Sequence, residues 1–305
     1  MPTPASKPEL VVVGAGPAGL AAAIYTTRED IATTLYEAKT VGGWAGLTAT
    51  IENYPGFPEG VSGLELSERL EKQAERFGAT IETGVAITGM KPTAAGIEVA
   101  TSAATVTARA VLIAIGSDYR RLPAPGEEQY FGKGVHYCAT CDGPLYRGKT
   151  LVVVGGGDAA MQEGLFLTKF AKHVIMVVRG PALKGSPILQ HEVAASPAIE
   201  VRTNLEVMSV EGDGQRVTGV ETGAGMIAAD GVFVFIGLIA KTDWLKGVIK
   251  LDERGFITTD ANFQTSLPGV FAAGDIRSGA TWQIASAIGE GVTAALRIRE
   301  FLKGR

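Results

Sequence analysis

Cysteine is almost missing from this chain: its 305 residues hold two, Cys138 and Cys141. So few cysteines rule out a disulfide-stapled secreted scaffold, and a cytoplasmic, thiol-keeping compartment is expected. Histidine is nearly as scarce. His136, His173 and His191 share no metal-ligand spacing, so no metal site is expected, and no serine–acid arrangement accompanies them for hydrolysis. Apolar runs stay short of the roughly 20 residues that span a bilayer. The longest, residues 231–240, reads as one buried strand, and residues 1–8, with a lysine and three prolines, read as a loose arm and not as a signal peptide. Basic charge is not in excess either: 28 Lys and Arg against 32 Asp and Glu give a net charge of −4. With no basic stripe, neither nucleic acid nor an anionic membrane is an expected partner.

Glycine, by contrast, is abundant at 40 residues, beside 46% hydrophobic and 20% charged residues, and the length suffices for two domains with their own cores. Two glycine clusters follow apolar strands. Residues 10–13 run into Gly14-Ala15-Gly16-Pro17-Ala18-Gly19, an alanine-rich helix follows to about Thr27, and a second strand ends at Glu37. In this setting Gly14 permits a tight turn and Gly16 lets the backbone approach a pyrophosphate. The helix start supplies amide donors, and an acid at this offset meets a ribose hydroxyl. The pattern returns at residues 151–154, then Gly155-Gly156-Gly157-Asp158-Ala159-Ala160, a helix to about Phe170 and a strand over residues 174–178. Superposing the repeats puts Arg179 where Glu37 stands, which suits a 2′-phosphate better than a free ribose. A third apolar strand ends in Gly274-Asp275 before a long helix from about Thr281 to Leu302.

The expected fold is therefore α/β, two Rossmann-like three-layer nucleotide-binding domains with the second inserted into the first. Domain one takes residues 1–119 and 246–305 and domain two residues 120–245, with linkers near residues 116–121 and 240–247. Between the clusters stand both cysteines, in Cys138-Ala139-Thr140-Cys141-Asp142-Gly143. Such a pair can bind metal, form a structural bridge, or cycle between dithiol and disulfide. With no partner ligands for zinc, redox cycling is favoured. Asp142 is the candidate acid and base for thiol exchange, or else a turn residue ahead of Gly143. His136 reads as a loop residue without a chemical role, tuning of a thiol being the alternative. Residues 65–76 read as an amphipathic helix with a solvated charged face.

Taken together these motifs resemble the low-molecular-weight thioredoxin reductases over nearly the whole chain. The resemblance extends to Gly42-Gly43, to Ile51-Glu52-Asn53-Tyr54-Pro55-Gly56-Phe57-Pro58, to Gln73-Ala74-Glu75-Arg76-Phe77-Gly78 and to Pro268-Gly269-Val270-Phe271-Ala272-Ala273-Gly274-Asp275. It implies a homodimer in which FAD is held by Gly14, Gly16, Pro17, Ala18, Gly19, Glu37, Gly42, Gly43, Asn53, Gly274, Asp275, Gln283 and Ile284. It also implies that Cys141 faces the flavin while Cys138 meets the disulfide of a thioredoxin-like protein, with Asp142 completing the catalytic set. At the second, pyridine-nucleotide site the candidates are Gly155, Gly157, Asp158, Ala159, Arg179 and Lys184. The family's basic run of His-Arg-Arg and a later Arg is here Val178-Arg179-Gly180 with Lys184. Trp44 replaces a usual glutamine and Trp282 a usual arginine, as core aromatics or as rings against a flavin. The loss of basic groups leaves the donor open between NADP(H), NADH, ferredoxin and a second FAD. A dithiol oxidase and a non-enzymatic flavin redox sensor are the other readings.

Overall fold

In the computed structural model, which describes residues 8–48, 51 and 53–304, the chain forms two units. One is Tyr119–Leu238; the other comprises the residues up to Asp118 and from Ile239 on. The return crossing therefore comes at Ile239 and not at residue 246. Leu245 is fully buried with Val11, Val13 and Ile257, and Ala240 and Trp244 pack on the same cluster, which ties this stretch to the first unit. The arm at residues 1–7 and Glu52 of the Ile51 motif lie outside the described residues.

The first unit is built on a parallel sheet in the order Val270–Ala272, Ala110–Ile113, Leu10–Val13, Thr33–Glu37, Thr80–Thr83. Its central strand alternates cleanly. Leu10 and Val12 pack toward the helices with Leu20, Ile24 and Ile298, whereas Val11 and Val13 pack on the other face with Met90, Ile97 and Val99. Both faces are buried, as a parallel strand requires. Met90, Ile97 and Val99 belong to a three-stranded antiparallel sheet, Ile87–Thr93, Gly96–Thr101 and Thr105–Ala108. The helix Pro17–Thr27 starts with proline in its first turn and is buried along nearly its whole length, which small alanines allow. The helix Gly63–Arg76 starts at Ser62, whose hydroxyl accepts from the Glu65 amide at 3.1 Å, and its outer face carries Glu65–Arg69 and Glu68–Lys72 pairs.

The second unit repeats this plan. Its parallel sheet runs Ile199–Arg202, His173–Val177, Thr150–Val154, Gly231–Val234, Val135–His136. Leu151 and Val153 face the helix Asp158–Leu167, and Val152 and Val154 face an antiparallel sheet of Val207–Gly212, Val217–Thr222 and Gly225–Ala228.

Three elements differ from expectation. The stretch 231–240 is not one strand: Gly231–Val234 is regular, Gly237 at φ +115° breaks the ladder, and only the two residues Leu238–Ile239 are strand beyond it. The last helix begins at Ile284, because Trp282 adopts φ +53° and Gln283 is extended. His136 is not in a loop but on the edge strand of the second unit's sheet, and only 7% exposed.

The short strand Val135–His136 is anchored from the side. Glu127, 5% exposed, accepts two hydrogen bonds from Arg121 at 2.5 and 2.6 Å and one from the Tyr137 hydroxyl at 2.5 Å, and that hydroxyl accepts from the Leu122 amide at 3.2 Å. Removing a buried charged acceptor strands its donors. Glu127→Ala is expected to cost about 2–4 kcal/mol, read as a lower urea midpoint of the second unit's transition. An unchanged midpoint would refute the anchor.

Candidate functional site

In the first unit three loops converge on the start of the helix Pro17–Thr27. Gly14 turns at φ +101°, where a Cβ would lie 2.6 Å from the Ala114 carbonyl oxygen. Gly19 packs on Gly14 so closely that a Cβ would meet its oxygen at 2.1 Å. At Gly16, in contrast, a Cβ would find nothing within 4 Å, which leaves the backbone open to a ligand. The Gly42 amide donates to the Ala15 carbonyl at 2.8 Å, bringing Gly42 and Gly43 to the same loop. Gly274, at φ +77°, would place a Cβ 3.0 Å from that of Ala18. Glu37 closes the group: one carboxylate oxygen accepts from the Ala15 amide and the other from the Lys39 amide, each at 2.9 Å. An open helix start with a carboxylate fixed beside it fits a dinucleotide, pyrophosphate at the amides and ribose at Glu37.

The Gly274–Asp275 turn is held from below. Glu290 accepts from the Gly274 amide at 2.8 Å and forms a bidentate pair with Arg277 at 2.9 and 2.7 Å. Burial, with the Glu290 charge behind it, pushes the Asp275 carboxyl up to about 6. The Asn53 amide donates to Gln283 Oε1 at 3.1 Å, joining two predicted site residues that are remote in sequence. The Trp44 indole donates to Asp118 at 2.9 Å, and Lys241 pairs with the same carboxylate. Burial would raise Asp118, but these two donors outweigh it and hold the carboxyl below its usual range. Trp282 donates to the Asp275 carbonyl at 3.3 Å and lies against Phe256. Ile284 opens the last helix.

In the second unit Cys138 and Cys141 are joined as a disulfide. Cys138 Sγ accepts from the Cys141 amide at 3.2 Å and lies 3.3 Å from the Thr140 hydroxyl, so a charge left on that sulfur meets two donors. Asp142 lies 3.2 Å from His136 Nδ1, and His136 Nε2 lies 2.7 Å from the Tyr146 hydroxyl. Glu163, from the helix Asp158–Leu167, accepts from the Ala139 amide; burial raises its carboxyl, and its Oε2 has no hydrogen-bond partner among the described residues.

The second glycine loop keeps the backbone of the first but differs in the side chains around it. Gly155 turns at φ +140°, and Gly157 leaves open space. The Gly155 amide donates to the Val177 carbonyl as the Gly14 amide donates to Tyr36. That register corrects the superposition made from sequence: Val178, not Arg179, stands where Glu37 stands, and a Cβ on Gly156 would touch it at 2.6 Å. The side chain at that position is apolar and not a carboxylate. Arg179 is 83% exposed and 3.9 Å from Glu206, and Lys184, also exposed, donates its backbone amide to the Gly156 carbonyl. Asp158 accepts from the Ser186 amide at 2.6 Å, while Ala159 is exposed.

Residues 8–291 match the family model described as pyridine nucleotide-disulphide oxidoreductase. The thioredoxin reductases of Listeria monocytogenes and Bacillus subtilis are each 38% identical to the chain over 97% of it, covering 94% and 95% of those proteins. The chain belongs to the thioredoxin reductase family. It is thus a flavoprotein oxidoreductase, with the two Rossmann-like domains of that fold. The crystal structure of thioredoxin reductase from Streptococcus pyogenes matches at a TM-score of 0.93 with 34% identity, over 98% of this chain and 99% of that one. Thioredoxin reductase from Giardia duodenalis matches at 0.91 with 32% identity, over 97% and 99%.

Sequence reasoning missed Glu163, Glu290, Asp118 and Tyr146. Tyr146 could have been found from its spacing of four residues past Asp142, and Glu163 as a carboxylate in an otherwise apolar-faced helix. No local signal marks Glu290, or Asp118, whose partners Trp44 and Lys241 are distant in sequence.

Because the fold raises Asp275, it disfavours the ionised form, so flavin-free protein loses stability as pH climbs from about 4 through about 6. Asp275→Asn is expected to remove that loss, its melting temperature matching wild type at low pH and exceeding it at neutral pH. A difference independent of pH would refute this.

Proposed function

We propose that the chain is an FAD-dependent disulfide reductase that delivers two electrons through Cys138 and Cys141 to a thioredoxin-like protein. What carries the reading is the cysteine pair itself, with two donors on Cys138 Sγ and the Asp142–His136 contact beside it. FAD supplies the electron pair. Gly14, Gly16, Pro17, Ala18, Gly19, Glu37, Gly42 and Gly43 hold its phosphates and ribose; Trp44, Asn53, Gly274, Asp275, Gln283 and Ile284 line the rest. Cys138 is the thiol that meets the partner's disulfide, Cys141 resolves the mixed disulfide, and Asp142 moves the proton. A homodimer acting in the cytoplasm completes the reading; among the described residues no helix is long and apolar enough to cross a membrane.

The donor reading follows from the second site. A 2′-phosphate is held by several charge-assisted contacts, each worth roughly 1.5–3 kcal/mol. With Arg179 and Lys184 alone, two lost contacts weaken NADPH by about two to four orders of magnitude. A low-potential donor, reduced ferredoxin or a second bound flavin, is therefore favoured. The open Gly157 keeps an ordinary NADPH-dependent reductase as the second reading.

Two experiments test this. Cys141→Ser should trap a thioredoxin as a mixed disulfide through Cys138, and Cys138→Ser should not; near-wild-type turnover by either variant would sink the dithiol route. Anaerobic titration with NADPH, NADH and reduced ferredoxin, with FAD quantified per chain, decides the donor. Saturable reduction at micromolar NADPH, abolished by Arg179→Ala, would restore the second reading.

A further inference from the structure

We propose that His136 and Tyr146 form a proton relay that links Asp142 to water, filling it in one half of the catalytic cycle and emptying it in the other. The inference rests on the disulfide-reductase reading above. Neither residue touches the reacting sulfurs in this role; they are positioning residues acting through Asp142.

The geometry leaves the imidazole little other use. The ring is 7% exposed, and its partners lie on opposite nitrogens, Asp142 Oδ2 at 3.2 Å from Nδ1 and Tyr146 Oη at 2.7 Å from Nε2. Phe233 stacks on it at 5.1 Å, and the Tyr146 ring stands edge-on to both at 5.4 and 5.6 Å. The ring cannot rotate without displacing them. Asp142 is itself largely enclosed, its side chain 18% exposed. The groups facing the relay are few. Asp142 and Tyr146 flank the ring, Phe233 covers one face, and Asp230, ahead of the strand Gly231–Val234, faces Tyr146 with Lys149 paired to it at 3.3 Å. Tyr146 is half-buried and its neighbour Asp230 is 41% exposed, so the Tyr146 end is the side of the relay nearer to water. Burial and those two carboxylates push the Tyr146 hydroxyl up to about 12, which keeps it neutral, a carrier and not a store of charge.

A neutral imidazole has one donor and one acceptor nitrogen. With Asp142 ionised, Nδ1–H donates to the carboxylate and Nε2 accepts from Tyr146. Opening the Cys138–Cys141 bond takes two electrons and two protons; a bound flavin in its anionic reduced form would supply the electron pair with one proton. The other comes from water. Tyr146 passes its proton to Nε2, Nδ1–H passes to Asp142, and a solvent proton refills Tyr146. Asp142 then protonates the departing Cys138 thiolate, leaving the ring as Nε2–H. In the second half the Cys138 thiol returns its proton to Asp142 and, as thiolate, attacks the partner's disulfide. A Cys138–partner S–S bond forms and the partner's bond breaks. The proton leaves by the reverse hops, Asp142 to Nδ1 and Nε2–H to Tyr146, restoring the starting tautomer without rotation. Cys141 then displaces the partner sulfur, its proton passing to one leaving thiolate while water protonates the other. The two electrons end in the partner's dithiol.

Three measurements test the relay. Nitrogen NMR of the histidine-labelled, oxidised holoprotein is expected to show His136 as the Nδ1–H tautomer at neutral pH; an Nε2–H ring would overturn the proposal. Tyr146→Phe and His136→Gln, which keep the packing, are expected to slow both halves about 10- to 100-fold, with the deficit restored by added imidazole buffer, to which wild type is indifferent. Unchanged rates, or a loss that buffer does not restore, would overturn it. Reduction of the disulfide by dithiothreitol, followed in the same variants, needs no protein partner or flavin donor. If wild type turns over no protein disulfide, the reductase reading fails, while the tautomer and the buffer dependence of the dithiothreitol reaction still decide the relay.

Discussion

Both nucleotide loops depend on one steric constraint, the approach of a strand-end glycine to a neighbouring carbonyl that no side chain can share. A Cβ at Gly14 would lie 2.6 Å from the Ala114 oxygen, and one at Gly155 would lie 2.4 Å from the Phe235 oxygen. Those contacts let each loop turn directly off its sheet and aim the next helix start at the same place. Residues brought in from elsewhere, such as Gly42 and Gly274, are positioned against that fixed start. The cofactor cradle is therefore a property of the backbone first and of side chains second.

That order explains what the sequence disclosed. Backbone-determined features were legible: the glycine spacings, the alanine-rich helix, Glu37 at the strand end, and the paired cysteines. They are local and obey short-range rules. Features made by tertiary meeting were not. Asn53 finds Gln283 and Trp44 finds Asp118 across long stretches of chain, and Gly274 finds Glu290 on the helix that follows it. The misplacement of Arg179 has the same origin, because only strand register tells which residue ends up beside the loop. Trp282 with its positive φ delays the last helix by a turn in a way that periodicity does not reveal.

The cysteine segment shows how a short, half-buried motif acquires rigidity. Val135–His136 is too brief a strand to fix itself, yet Tyr137 is tied to Glu127 and Leu122, and His136 is wedged on Phe233. Successive residues thus point into different parts of the unit's core. Cys138 emerges from a stem whose two preceding side chains are both buried, so its sulfur is presented without the entropy of a free loop.

The two units carry the same strand–glycine–helix frame, yet they diverge at the residue that follows the shared register, Glu37 in one and Val178 in the other. The ladder of each sheet is made by backbone groups and by neither side chain. Selection can thus exchange the residue at this spot while the scaffold stays intact, and a duplicated domain of this kind drifts between retaining, changing and abandoning a ligand through a very short mutational path.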